Sequence, residues 1–191
     1  LVNSIFNFPA NMTFFSTSLN LEIGDTPFIS HNDKPTRREA LEYYRRLIES
    51  YKIKIEFDTE VESMTRNSDA SYLVRTNNGQ YESRFVIVAT GFYDKPNLMN
   101  VPGEHLPKVK HYYDEVHYYI RKKVLVVGGA NSACDVALEC WQKGAEVTMA
   151  IRGPELYQRV KYWILPNIEN RIEEESIKAY YKTTLKEIKE K

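Results

Sequence analysis

The chain has 191 residues, room for one ordinary domain or two small ones, and its 42% apolar content is enough for a packed core. Its 26 basic and 26 acidic residues cancel, which argues against a nucleic-acid partner or an anionic membrane surface, since both need a basic excess. No apolar run approaches the roughly 18 residues of a membrane span. No signal-peptide pattern opens the chain, although it starts Leu1-Val2-Asn3 rather than with methionine.

Residues 1–34 lack a clear period and read as irregular chain. A helix is predicted over 36–50. Pro35 precedes Thr36, and Thr36-Arg37-Arg38-Glu39 fits a capping box, in which Thr and Glu satisfy each other's backbone N–H. Leu41, Tyr44, Ile48 and Tyr51 recur at helical spacing and predict the apolar face. Arg37, Arg38, Arg45 and Arg46 read as a solvated face, with a phosphate contact from the first pair left open.

From Ile53 to Gly91 the pattern predicts strands. "IKIEFDTEVESM" and "SYLVRT" alternate, Asn78-Gly79 signals a hairpin turn, and "FVIVATG" reads as a strand covered on both faces. The stretch "YDKPNLMNVPGEHLPKVKH" carries Pro96, Pro102, Gly103 and Pro107 and reads as a linker, with a domain boundary near residue 105.

A strand over Lys123–Val127, the turn Gly128-Gly129, a helix over Asn131–Lys143 and a strand over Ala145–Ile151 then form a βαβ unit. That is the context in which a dinucleotide is held on a helix N-terminus. Gly128 stands where the tight turn needs glycine, and Ala133 where a small side chain lets helix and strand approach. Ala130 stands where backbone nears the pyrophosphate, so its methyl pushes the phosphates outward or reorients the turn. The N–H groups of the first helical turn offer an anion site, to which Ser132 can add a hydroxyl. An NAD site wants an acidic residue at the end of the second strand. Here stands Arg152, whose guanidinium matches a 2′-phosphate, with Arg159 and Lys161 nearby. A packed strand–helix pair without ligand would share the period, though not these residue types at these positions.

Beyond the unit, 155–176 reads as mostly helical with Pro166 as a break or new start, and "IKAYYKTTLKEI" reads as a strand. Cys134 and Cys140, six residues apart on one helix, are separated by about 9 Å along its axis. That exceeds the roughly 7 Å reach of a disulfide. They read as reduced, buried thiols, in keeping with a cytoplasmic protein. Histidines 31, 105, 111 and 117 show no metal-ligand spacing, and no metal is assigned.

"FVIVATGFYDKPNLMNVPGE" followed by "KVLVVGGANSACDVALE" resembles flavoproteins with two dinucleotide-binding domains. "FPANMTFFSTS", "KPTRREALEYYR" and "VKYWILPNIENRI" extend the likeness over nearly the whole chain to the thioredoxin-reductase-like bacillithiol-disulfide reductase family. Flavin-containing monooxygenases resemble it less, because the Phe-x-Gly that opens their fingerprint is not intact. The resemblance implies an α/β fold with two Rossmann-like FAD/NAD(P)-binding domains, both incomplete here. Residues 1–105 would be the remainder of the FAD-binding domain and 106–191 the N-terminal part of the NADPH-binding domain. It implies FAD and NADPH as cofactors and a small-molecule disulfide as substrate, and it leaves a homo-oligomer open. Thr90 and Gly91 match the family's turn near FAD, and Val61 a strand position whose backbone contacts the adenine. Gly128, Gly129, Ala130, Asn131, Ser132, Ala133 and Arg152 match the NADPH site, in a family whose turn also lacks the second motif glycine. The first glycine motif and the reactive cysteine are expected upstream of Leu1, so the chain reads as an internal piece, inactive alone, in which no catalytic residue can be named. The alternatives are a monooxygenase-like NADPH oxidoreductase and a non-catalytic NADP-binding piece.

Overall fold

The computed structural model describes residues 1–91, 93 and 95–190; Phe92, Asp94 of the predicted linker, and Lys191 lie outside the described residues. The chain divides into two compact units. One comprises Leu1–Asn7 and Asn11–Lys95, the other Phe8–Ala10 and Pro96–Lys191.

The first unit is built on helix α3 (Arg37–Tyr51), preceded by two single turns, α1 (Asn3–Phe6) and α2 (Ser18–Leu21). The predicted capping box is present in full, with Glu39 N–H donating to the Thr36 hydroxyl at 3.3 Å and Thr36 N–H to the Glu39 carboxylate at 2.7 Å. The buried face is Ala40, Tyr43 and Leu47, one position before the predicted stripe. Leu41, Tyr44 and Ile48 are half-buried flanks, and Tyr51 is exposed. Both stripes are apolar, so spacing alone could not choose between them. The choice falls on Tyr43 because its ring stacks on Phe28 at 4.3 Å and its hydroxyl bridges Ile23 N–H and Thr26 C=O. Arg37 is not solvated as expected: it donates to the carbonyls of Ile5 and Phe6 and lies over the Phe6 ring, tying α1 to the helix.

Three antiparallel strands follow in the order β1 (Val61–Arg66), β2 (Tyr72–Thr76), β3 (Gly79–Ser83). Asn78-Gly79 turns β2 into β3 as predicted, with Thr76 paired to Gly79. Two predicted stretches fall short. The alternating run that starts at Ile53 forms a strand only from Val61, and residues 85–90 join no ladder. Phe85, Ile87 and Val88 are 84, 90 and 72% exposed. The apolar run has strand composition, but a strand exists only where another backbone pairs with it, and none of the described residues does so.

The second unit holds a parallel sheet in the order β4 (Lys123–Val127), β5 (Glu146–Ala150), β6 (Lys178–Tyr180), with α4 (Asn131–Gln142) joining β4 to β5 and α5 (Leu165–Glu173) before β6. Val126, Val147 and Met149 on one sheet face pack with Cys134, Ala137 and Leu138 of α4 and with Ile168 of α5. Each such large side chain contributes roughly 1.5–3 kcal/mol by leaving water. β4 is buried on one face only: Leu125 and Val127, on the face away from α4, are 50 and 46% exposed. Residues 155–164 are not helical. Pro166 falls in the first turn of α5, where its missing N–H costs nothing, and the predicted final strand is limited to three residues.

Candidate nucleotide-binding site

The turn between β4 and α4 is set by its glycines. Gly128 has φ +128°, a conformation side chains other than glycine rarely adopt. Its N–H donates to Ala150 C=O at 3.0 Å, which seats the turn beside the end of β5. A Cβ on Gly129 would lie 3.0 Å from Ile151 Cγ2, so glycine there permits contact with the chain leaving β5. Ala133 sits 3.4 Å from where a Gly128 Cβ would be, matching the close-approach role expected of it.

Ala130 is the N-cap of α4. Its φ and ψ of −99° and −177° are extended backbone that any residue adopts, and its methyl is exposed. No side chain caps the helix. The first intrahelical bond is Cys134 N–H to Ala130 C=O at 3.0 Å, so the N–H groups of Asn131, Ser132 and Ala133 precede the helical ladder. The contrast with α3 is informative. That helix receives a complete capping box, whereas α4 opens with an exposed alanine where Ser, Thr, Asp or Asn would stabilise by about 1 kcal/mol. An uncapped helix start beside a glycine turn has the donors and the positive end of the dipole that a pyrophosphate needs, and Ser132 is exposed next to it.

Arg152 follows β5 directly and is exposed. Ile151 N–H donates to Tyr180 C=O at 2.8 Å and Lys182 N–H to Gly153 C=O at 2.9 Å, fixing the backbone around it. Gly153 to Arg159 line an open cleft next to it. Gly128 to Ala133 are therefore seated beside the chain that leads into Arg152 in the second unit. Asn131 does not present its amide to this space: its Oδ1 accepts from Lys161 N–H at 2.8 Å.

Three residues expected near FAD lie in the first unit. Val61 opens β1 opposite Thr76 with its side chain 61% exposed, Thr90 is exposed, and Gly91 has φ +69°. Glycines 24, 79 and 91 stand singly, so among the described residues of the first unit there is no paired-glycine turn to cradle a pyrophosphate.

Asp135 was not singled out in the sequence. It is half-buried on α4, and burial, with Glu139 one turn on, pushes its carboxyl up to about 6. An acid amid the helix's buried positions is the signal that marks it. Cys134 and Cys140 are buried and free, and burial pushes both thiols up to about 11. Burial thus outweighs the helix start, which would lower the Cys134 thiol. No group of His, Cys, Asp or Glu among the described residues could hold a metal, and no helix among them is long and apolar enough to cross a membrane.

Residues 1–191 match the family described as pyridine nucleotide-disulphide oxidoreductase. The chain belongs to that family. It is 43% identical over 190 residues to bacilliredoxin reductase Bdr of Bacillus subtilis (strain 168), covering all of this chain and 59% of the relative. The solved bacillithiol disulfide reductase Bdr from Bacillus cereus superposes with a TM-score of 0.95 at 42% identity, over all of this chain and 60% of that one. Its counterpart from Staphylococcus aureus gives 0.94 at 39%, over all of this chain and 58% of that one. A flavin-containing monooxygenase from Stenotrophomonas maltophilia shares 20% identity, a likeness that shows the fold alone. The chain thus spans about three-fifths of the length of the Bdr relatives.

Proposed function

We propose that this chain is part of an NADPH-dependent FAD oxidoreductase that reduces a bacillithiol-type disulfide. The observation that carries it is the uncapped start of α4 beside Gly128 and Gly129, with Arg152 at the end of β5. The likeness to bacillithiol disulfide reductases supports it. In this reading residues 1–105 belong to the FAD-binding domain and 106–191 to the NADPH-binding domain, each a partial Rossmann unit. Bound NADPH and FAD would supply the two electrons that, with a hydride-derived proton and one from solvent, convert a disulfide to two thiols.

This chain's own contribution is binding and orientation. Backbone N–H groups of Asn131, Ser132 and Ala133, with the Ser132 hydroxyl, hold the pyrophosphate, and Gly128 and Gly129 shape the turn. Ala130 leaves the helix start uncapped for the ligand. Arg152 pairs with the 2′-phosphate and so prefers NADPH to NADH. Thr90, Gly91 and Val61 offer the flavin nucleotide contacts but no pyrophosphate cradle, and no step is assigned to them. The buried thiols suit a reducing cytoplasm.

The names of the relatives point to two substrates, a bacilliredoxin and bacillithiol disulfide. The full-length protein, supplied with NADPH, should consume it when bacillithiol disulfide is added. Turnover with an oxidised bacilliredoxin alone would move the substrate from a small molecule to a protein. No turnover with either, and NADPH-driven oxygenation of an amine or sulfide instead, would sink the reading.

A further inference from the structure

The segment between β5 and α5 carries Arg159 and Lys161 in a stretch without helix or strand. Its backbone groups therefore need partners other than a ladder. Leu156, Val160 and Ile164 are 6, 5 and 5% exposed and anchor it at four-residue intervals, which leaves Tyr157, Gln158 and Arg159 outward. Two tethers join it to the nucleotide turn. Tyr157 N–H donates to Gly129 C=O at 2.8 Å. Asn131, the first residue of α4, grips the segment at both cations: its Oδ1 accepts from Lys161 N–H at 2.8 Å, and its Nδ2 donates to Arg159 C=O at 3.4 Å. The neighbouring carboxylate of Glu155 is engaged by Gln158 at 2.9 Å.

We propose that Asn131 is a positioning residue: by holding the backbone of Arg159 and Lys161 against the start of α4, it fixes the cation-bearing segment that follows Arg152 and so sets the affinity for a 2′-phosphorylated adenosine. This rests on the NADPH reading above. It assigns Asn131 to the 2′-phosphate end of the ligand, although the residue sits at the pyrophosphate end of the turn. An anion is bound by whichever charges are already in place, and a cation on an untethered loop must first be ordered.

The test uses the full-length protein, with 2′,5′-ADP and 5′-AMP as calorimetric probes that differ only in the 2′-phosphate. Asn131→Ala should weaken 2′,5′-ADP about tenfold, the upper end of what one neutral hydrogen bond contributes, and leave 5′-AMP within about twofold. Arg159→Ala/Lys161→Ala should weaken 2′,5′-ADP at least as much, and adding Asn131→Ala to it should cost nothing further. Unchanged 2′,5′-ADP binding in Asn131→Ala, equal loss of both probes, or an added loss on the double variant overturns the proposal. Should Asn131→Ala fail to fold, intact 2′,5′-ADP binding by Arg159→Ala/Lys161→Ala overturns it alone. A wild-type protein that binds 2′,5′-ADP no better than 5′-AMP refutes the NADPH reading itself, whereas a wild type that discriminates while Asn131→Ala is silent refutes only the role of Asn131.

Discussion

The Oε1 atom of Glu104 lies 3.0 Å from Nε2 of His111, and the same carboxylate accepts N–H bonds from Met99 at 2.8 Å and Asn100 at 2.7 Å. Its side chain is 1% exposed. These donors, Met99 N–H foremost, hold the carboxyl at about 2, well below its ordinary 4.5. A group whose folded pKa is depressed gives stability that is present above the unfolded value and lost as pH falls through the folded one. Glu104→Gln should therefore lower the urea midpoint clearly near pH 7. The gap from wild type should hold down to about pH 4.5 and then close towards about pH 2. A gap that is the same at about pH 7 and pH 3 would contradict the assignment.

The start of α4 trades stability for a ligand. Ala130→Asp would supply the missing cap and complement the helix dipole, raising stability by about 0.5–1 kcal/mol. The same carboxylate would face the pyrophosphate, and like charges a few ångströms apart should weaken NADPH binding by at least about tenfold. Thermal melting and NADPH titration of one variant should move in opposite directions. A variant with both improved would show that the helix start is not an anion site.

Arg152→Ala tests the choice between cofactors. Loss of a guanidinium–phosphate contact is worth roughly 1.5–3 kcal/mol, so NADPH affinity should fall about 10- to 100-fold while NADH affinity stays put. A reduced preference, measured on the full-length protein, is the expected result, the remainder being the share of Arg159 and Lys161. An undiminished preference would transfer the role to other residues.

Cys134 and Cys140 should be silent in the native protein. A thiol raised from 9 to about 11 holds roughly a hundredfold less thiolate at neutral pH, and burial blocks the reagent as well. Peptide-resolved iodoacetamide labelling should modify both only after denaturant is added. Rapid native labelling of Cys134 would revive a reactive thiol at the helix start.

Local chemistry made part of this legible from sequence. Thr36 and Glu39 predicted a cap, Asn78-Gly79 a hairpin, and Gly128 to Ala133 a strand–turn–helix, and each formed, because each depends on residues within a few positions of one another. What failed depended on distant partners. Phe85 to Val88 has strand composition but pairs with no strand among the described residues, and Leu125 and Val127 have core composition but stay half exposed. Residues 155–164 have helical spacing at Leu156, Val160 and Ile164, yet their anchoring comes from the turn at 129–131. The grip of Asn131 on that segment has no sequence signal, since an asparagine opening a helix reads equally well as a cap or a ligand contact.

The run Phe85 to Val88 has a practical consequence. Its apolar side chains are exposed and its backbone joins no ladder, so it forms a template for another strand. A preparation limited to these 191 residues should self-associate through that run as concentration rises. Ile87→Lys, which places a charge on the most exposed of its residues, should raise the concentration at which light scattering begins. Handling the segment as a sticky edge, with a charged gatekeeper or a covering partner supplied, is the first step towards a tractable sample.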